Sequence, residues 1–183
     1  MRLTPTLTLT VSNAWLLCLP MVLSVGVATA LRGDLARRLS DMTGYTPRER
    51  AFTVAASLLP YPFMVLAIFT PFAPTGLLFV AGLLVAMLGN ASFAATLFVF
   101  AGSSSDQPLR AGPYRVSRNP LYVSAALVFL GVCVSTSSLL LAAILAVLLL
   151  LQHAMILAEE RACARKYGEL YVAYARRVSR YLG

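Results

Sequence analysis

Residues 121–161 read LYVSAALVFLGVCVSTSSLLLAAILAVLLLLQHAMILAEER. Two uncharged apolar runs, 121–134 and 137–158, are separated only by Ser135 and Thr136, and the second ends on Glu159 and Glu160. That spacing leaves room for a tight turn alone and predicts a helical hairpin whose first arm is short, tilted or partly covered by protein. A helix needs roughly 20 apolar residues to cross the hydrocarbon of a bilayer. Further uncharged runs at about 13–31, 51–71 and 76–101 meet that length. The expectation is an all-α integral membrane protein with five transmembrane helices, the last two forming the hairpin.

Composition agrees with that class. The 183 residues are 59% hydrophobic and 12% charged, with a mean hydropathy of +0.78. A soluble domain carries about 25% charged residues. Length and the absence of repeats or low-complexity linkers predict one domain spanning 1–183. The first run does not read as a cleaved signal, because its only basic leader is Arg2 and further spans follow.

Charge placement predicts orientation. Segment 32–50 holds five basic residues, the segment after the third span holds Arg110, Arg115 and Arg118, and the tail holds six; Arg2 completes the 15. The connections around 70–75 and 134–138 hold none. Basic residues accumulate on the cytoplasmic side, so the N-terminus is expected outside, with the three charged segments and the C-terminus in the cytoplasm. The net charge of +8 then reflects topology and contact with anionic membrane lipids. Nucleic acid is disfavoured as a partner, because the basic residues flank spans and form no domain of their own.

Several chemistries have no foothold. Cys18, Cys133 and Cys163 are scattered, His153 is the only histidine, and metal sites want clustered ligands, so no metal is expected. No P-loop, GxGxxG or GxSxG sequence occurs. Segment 32–50 reads as a surface loop and short helix, with Asp34 as a possible cap. Gly82, Gly89, Ala91 and Ser92 supply a small-residue packing face in the third span, where Asn90 reads as an interhelical hydrogen-bonding amide.

The polar residues concentrate around the hairpin. Upstream lies Gly112-Pro113-Tyr114-Arg115-Val116-Ser117-Arg118-Asn119-Pro120-Leu121-Tyr122; downstream lie Lys166-Tyr167-Gly168, Tyr171, Tyr174 and Arg176-Arg177-Val178. Pro120 disfavours helix at Asn119 and suits the first turn of the fourth span. Gly112-Pro113 makes a turn at the other end, so the loop is pinned twice. Arg115 and Arg118 read either as snorkelling anchors or as site residues; Tyr114 and Tyr122 read as interfacial aromatics or as walls for a cationic ligand. Helical periodicity puts Gln152 with Glu159, and His153 with Glu160, on shared faces. One acid can therefore point inward while its neighbour pairs with Arg161, Arg165 or Arg118. An acid pair at a helix C-terminus opposes the macrodipole, a local conflict of the kind that sites produce. Tyr167, Tyr171, Tyr174, Val178 and Tyr181 recur at three- and four-residue steps and predict a C-terminal interfacial helix with one aromatic stripe.

Gly-Pro-Tyr-Arg-x-x-Arg-Asn-Pro-x-Tyr, a helical hairpin, Glu-Glu and Tyr-Gly-x-x-Tyr-x-x-Tyr-x-x-Arg-Val together resemble the isoprenylcysteine carboxyl methyltransferase family, whose general plan the phospholipid methyltransferases share. The resemblance covers about 109–180. It departs at Asn119, where the family usually has His, and at Ser179, where Pro commonly follows the final Val. The resemblance implies an S-adenosylmethionine-dependent methyltransferase acting on a lipophilic small-molecule or lipid acceptor, with no obligatory protein partner evident. It implies a cofactor site built from Leu109, Gly112, Tyr114, Asn119, Pro120, Tyr122, Gln152, Glu159 and Glu160, with Arg118, Tyr122 and Arg177 as catalytic candidates. The chain then divides into three variable N-terminal spans, 1–101, and a part, 102–183, holding the cofactor-binding loop, the hairpin and the tail.

The chemistry is compatible. A sulfonium and an ammonium call for carboxylates, and a nucleotide calls for amide donors and an aromatic wall. The competing readings are an NADPH-dependent reductase of sterols or lipid-like enones and a non-enzymatic membrane subunit. The reductase motif tends to read Arg-His-x-Asn-Tyr, which Asn119-Pro120-Leu121-Tyr122 fits less well.

Overall fold

The order of apolar runs and breakers sets the order of helices. The computed structural model describes residues 13–72, 76–104 and 106–182. Its helices are α1 (Leu19–Leu31), α2 (Leu35–Leu39), α3 (Pro47–Ser57), α4 (Pro60–Phe69), α5 (Leu77–Ala101), α6 (Pro120–Thr136), α7 (Leu139–Tyr167) and α8 (Glu169–Ala175). Among the described residues the only β pairing is an isolated bridge between Asn13 and Pro71. The fold is all-helical. Arg2 and part of the uncharged connection around 70–75 lie outside the described residues.

Among the described residues three helical stretches are long and apolar enough to cross a membrane: Pro47–Phe69, Leu77–Ala101 and Leu139–Tyr167. Helices α1 and α6 are apolar but only 13 and 17 residues long. The first of the three long stretches is α3 and α4 in series. Pro60 lacks an amide proton and its ring crowds the carbonyl four residues back, so the helix breaks at Leu58–Leu59 and resumes. Thr46 and Glu49 start α3 with a reciprocal capping box, the Thr46 amide donating to Glu49 Oε2 at 2.9 Å and the Glu49 amide to Thr46 Oγ1 at 3.3 Å.

The hairpin turn falls later than expected. Ser135 and Thr136 stay helical, and the chain reverses at Ser137, which takes a left-handed φ of 51°, and Ser138, whose hydroxyl accepts the Leu141 amide. Hydroxyls of Ser135 and Thr136 bond back to the Val132 carbonyl, and this local satisfaction lets two polar residues remain in the helix. The main partner of α6 is α5. A Cβ on Gly82 would stand 2.3 Å from the Ser135 amide nitrogen, and one on Gly131 would stand 2.5 Å from that of Ala86. These backbones touch because no side chain intervenes. Ser92 and Ser124 share a 2.8 Å hydrogen bond across the same seam, whereas Ala91 is exposed and does not belong to it. Asn90 bonds the Leu17 carbonyl at 2.9 Å, the interhelical contact expected of it. Phe63 and Phe129, with ring centroids 4.7 Å apart, close the core between α4 and α6.

The tail differs from the single interfacial helix expected. Tyr167 ends α7, Gly168 turns the chain at φ 54°, and α8 lasts seven residues. Val178 and Tyr181 lie beyond it. Tyr171 and Tyr174 are buried, so the aromatic stripe turns into the protein. Asp34 precedes α2 but makes no side-chain cap bond; its carboxylate faces Arg38 at 3.9 Å.

Candidate functional site

The loop before α6 is held from both sides. Gly112 adopts φ 56°, a left-handed value that favours glycine, and begins a tight helical turn to Arg115. Pro120 occupies the first turn of α6. Between them, the Arg118 amide donates to the Ser179 carbonyl at 2.9 Å, and the Ser117 hydroxyl donates to that of Arg180 at 3.2 Å. The last residues of the tail therefore lie across the loop.

Glu160 ties this arrangement together. Arg118 grips its carboxylate with Nε and Nη2 at 3.1 and 3.2 Å, and Arg180 donates from Nε and Nη2 at 3.1 and 3.0 Å. Asn119 Nδ2 donates to Glu160 Oε1 at 3.0 Å and to the Arg180 carbonyl at 3.2 Å. Arg118 also caps α8 through the Ala175 carbonyl at 2.8 Å. Bidentate charge-assisted contacts of this kind are the strong ones, and together they occupy both oxygens of Glu160. Arg161 and Arg165 turn the other way, to Glu49 at 2.8 and 2.9 Å.

Glu159 is different. Successive helical residues point in different directions, and among the described residues its carboxylate receives one bond, from the Tyr122 hydroxyl to Oε2 at 3.0 Å. It lines two cavities. The first, about 180 Å³, lies between the loop, the end of α7 and α8, and also touches Leu109, Arg118, Asn119, Glu160 and Tyr171. The second, about 660 Å³, runs among α1, α3, α4, α6 and α7, with Met21, Val25, Met64 and Phe129 in an apolar wall beside Tyr122 and Gln152. Tyr45, Phe100, Tyr114, Arg118, Asn119 and Glu159 line both.

Most of the expected residues are thus brought together. Leu109, Tyr114, Arg118, Asn119, Glu159 and Glu160 meet at the first cavity, and Tyr122 and Gln152 at the second, Gln152 on the face that it shares with Glu159. Gly112 and Pro120 shape the loop without lining either cavity. Arg177 stands apart: in the turn that follows α8 it is exposed and borders a third cavity with Arg110 and Arg115, before the chain returns across the loop at Ser179 and Arg180. His153 does not share a site with Glu160; its Nδ1 meets the Tyr181 hydroxyl.

Segment 32–50, expected to be a surface loop and short helix, supplies a wall that sequence reasoning missed. Arg38 donates from Nη2 to the Phe100 carbonyl at 3.1 Å and to Ser103 Oγ at 3.0 Å, with its guanidinium 4.9 Å from the Phe100 ring centroid. Asp41 accepts the Thr43 amide at 2.9 Å and faces Lys166 at 3.3 Å. The hydroxyl of Thr43 also donates to Asp41, and the two Thr43 hydrogen bonds, with help from Lys166, hold its carboxyl below the usual range. Burial, aided by the negative charge of Glu159, pushes the phenols of Tyr45 and Tyr114 up, and burial holds Tyr174 at about 12. These tyrosines are neutral walls and donors at physiological pH. Tyr174 uses its hydroxyl to bond the Tyr114 carbonyl at 2.8 Å.

Among the described residues no cluster of His, Cys, Asp and Glu could hold a metal ion, and the three cysteines are free. The donor set does suit an organic cation carrying a polar head. It offers one half-buried carboxylate not consumed by ion pairs, neutral aromatic walls and a clamped loop. No curated protein and no solved structure matches the chain. The sequence pattern of the phospholipid methyltransferase family matches residues 70–170, more than half of the chain, from before α5 to the start of α8. With that pattern running through both helices of the clamped loop and the acid pair, this membrane protein belongs to the phospholipid methyltransferase family.

Proposed function

We propose that the protein transfers a methyl group from S-adenosylmethionine to a lipophilic acceptor drawn from the bilayer. Methyltransferase chemistry comes with the family; the acceptor class and the residue roles are the proposal. The observation that carries it is the meeting of a polar cavity and a larger apolar one on Tyr114, Asn119 and Glu159. A charged cofactor and a lipid require such an arrangement, each held in its own solvent and touching at one wall.

In this reading the polar cavity takes the cofactor from the cytoplasm, between the loop, the end of α7 and α8. When bound, the cofactor supplies an electrophilic methyl group on a sulfonium. Glu159 balances positive charge, Tyr45, Tyr114 and Tyr171 form aromatic walls, and Leu109 borders the site. Arg118, Asn119 and Arg180 position the loop through Glu160. The apolar cavity aligns the acceptor and excludes water, which can supply much of the acceleration in a simple displacement. A carboxylate acceptor needs no base. For an amine or thiol, Glu159 is the group placed to receive the proton, at the oxygen not engaged by Tyr122. Arg177 has no part in this chemistry.

Five crossings, with the N-terminus outside and the C-terminus cytoplasmic, place the polar cavity on the cytoplasmic face and complete the proposal. Calorimetric titration of the purified protein separately with S-adenosylmethionine, S-adenosylhomocysteine and NADPH tests it. The first two are expected to bind and NADPH is not; binding of NADPH alone would overturn the assignment in favour of a reductase.

A further inference from the structure

The third cavity, about 380 Å³, opens on the outer side of the loop and tail and is lined by Arg110, Arg115 and Arg177 with Tyr114, Tyr174 and Val178. We infer that it is a binding site for a phosphate-bearing anion, the headgroup of an anionic phospholipid or free phosphate, held by these three guanidinium groups.

The case rests on charge accounting. Basic residues that line cavities or pack against α7 on this face meet acids: Arg118 and Arg180 on Glu160, Arg161 and Arg165 on Glu49, and Lys166 on Asp41. Arg32, Arg37, Arg48, Arg50 and Arg176 also form no ion pair among the described residues, but they line none of these three cavities. Among the described residues no ion pair involves Arg110, Arg115 or Arg177, and no acid lines their cavity. Asp106, the nearby acid of the same segment, is engaged by the Ser104 hydroxyl. Three like charges gathered in one concavity repel one another unless an anion sits among them. Guanidinium forks match the oxygens of a phosphate, and three of them can serve one group. Arg110 is already oriented by its 2.8 Å bond from Nη2 to the Leu170 carbonyl.

Location favours the lipid source. Val116 and Leu170 beside the arginines are 58% and 53% exposed, surface that a bilayer would cover while the arginines reach its headgroups. Tyr114 and Tyr174 form the wall between this cavity and the polar cavity of the main site. An anion here ties Arg115 in the loop to Arg177 in the tail and braces that wall from behind.

Native mass spectrometry of the purified full chain, titrated with phosphatidylglycerol, phosphatidylcholine or inorganic phosphate, tests the site without any assay of activity. Arg115→Ala/Arg177→Ala is the main variant, since neither side chain makes a hydrogen bond within the described residues and the fold should survive. Arg48→Ala/Arg50→Ala removes the same charge elsewhere. The expected result is preferential retention of phosphatidylglycerol over phosphatidylcholine, weakened about fivefold for each arginine removed and unchanged in the Arg48/Arg50 variant. Phosphatidylglycerol should also raise the melting temperature of the wild type and not of Arg115→Ala/Arg177→Ala. Retention of inorganic phosphate alone, lost in the same variant, would support the site and assign it to a soluble anion. Equal retention of every probe by wild type and by Arg115→Ala/Arg177→Ala, with both folded, would overturn it.

Discussion

Neighbouring side chains on a helix point about 100° apart, and Glu159 and Glu160 use that angle to face different surroundings. Glu160 is a structural tie with five donors; Glu159 faces the cavities with one. Glu159→Gln is therefore expected to weaken S-adenosylmethionine binding tenfold or more, the loss of a charge-assisted contact of about 1.5–3 kcal/mol, while the melting temperature holds. Glu160→Gln should instead cost roughly 3 kcal/mol of stability, because it takes the counter-charge from Arg118, whose side chain is only 12% exposed; calorimetry and thermal melting separate the two. Asn119 belongs with Glu160. Asn119→Leu removes one of the two donors to the Arg180 carbonyl and one of the two to Glu160 Oε1, a cost of about 1–3 kcal/mol for the two hydrogen bonds, whereas Asn119→His keeps one donor and should melt close to the wild type. Sequence made the acid pair, the loop and Asn119 visible, and periodicity correctly predicted that one acid turns inward. It gave no way to rank Arg118 over Arg177, since both are arginines near tyrosines; only the turn after Ala175, which leaves Arg177 exposed, separates them. Arg38 was invisible because an arginine beside a membrane span has the same signature whether it anchors at the surface or folds under a site.

Helix packing depends on two glycine contacts. Gly82 and Gly131 let α5 and α6 touch backbone to backbone, which fixes where α6 begins and thus where the clamped loop sits. Gly82→Ala is expected to destabilise by roughly 3 kcal/mol through overpacking and to lower cofactor binding with it. Gly26→Ala in α1, where nothing lies within 4 Å of the added Cβ, should leave the melting temperature unchanged or raised, as alanine is the better helix former. Equal melting of the two variants would argue against the close α5–α6 contact. Apolar runs and prolines located the long helices well, because hydropathy and missing donors act locally. The sequence puts the turn two residues early, at Ser135–Thr136, because serine and threonine can satisfy themselves within a helix, and it shows no break at Gly168, because glycine's left-handed turn needs no accompanying residue. Tyr171 and Tyr174 carry the spacing of an interfacial stripe, and only the fold of the tail onto the loop turns them inward.

Across the whole molecule, the charged segments gather at one face: segment 32–50 is stapled to α7 by Glu49 and Asp41, and the tail is stapled to the loop by Glu160. In the proposed arrangement of five crossings all of them would face the cytoplasm. A single Leu182→Cys reporter, in a chain carrying Cys163→Ser, should react with an impermeant thiol reagent in inverted vesicles and not from the outside of intact cells; labelling from outside would contradict the five-span topology. The central claim is that a lipid-phase acceptor receives its methyl group at the wall shared by the two cavities. It is tested most directly by reconstituting the protein into vesicles of mixed lipid extract, adding methyl-labelled S-adenosylmethionine and counting label in the organic phase. The account predicts label in the lipid fraction with the wild type and at least about a tenfold loss with folded Glu159→Gln, following the charge-assisted contact removed; no lipid label from folded wild type, or undiminished label from Glu159→Gln, would contradict it.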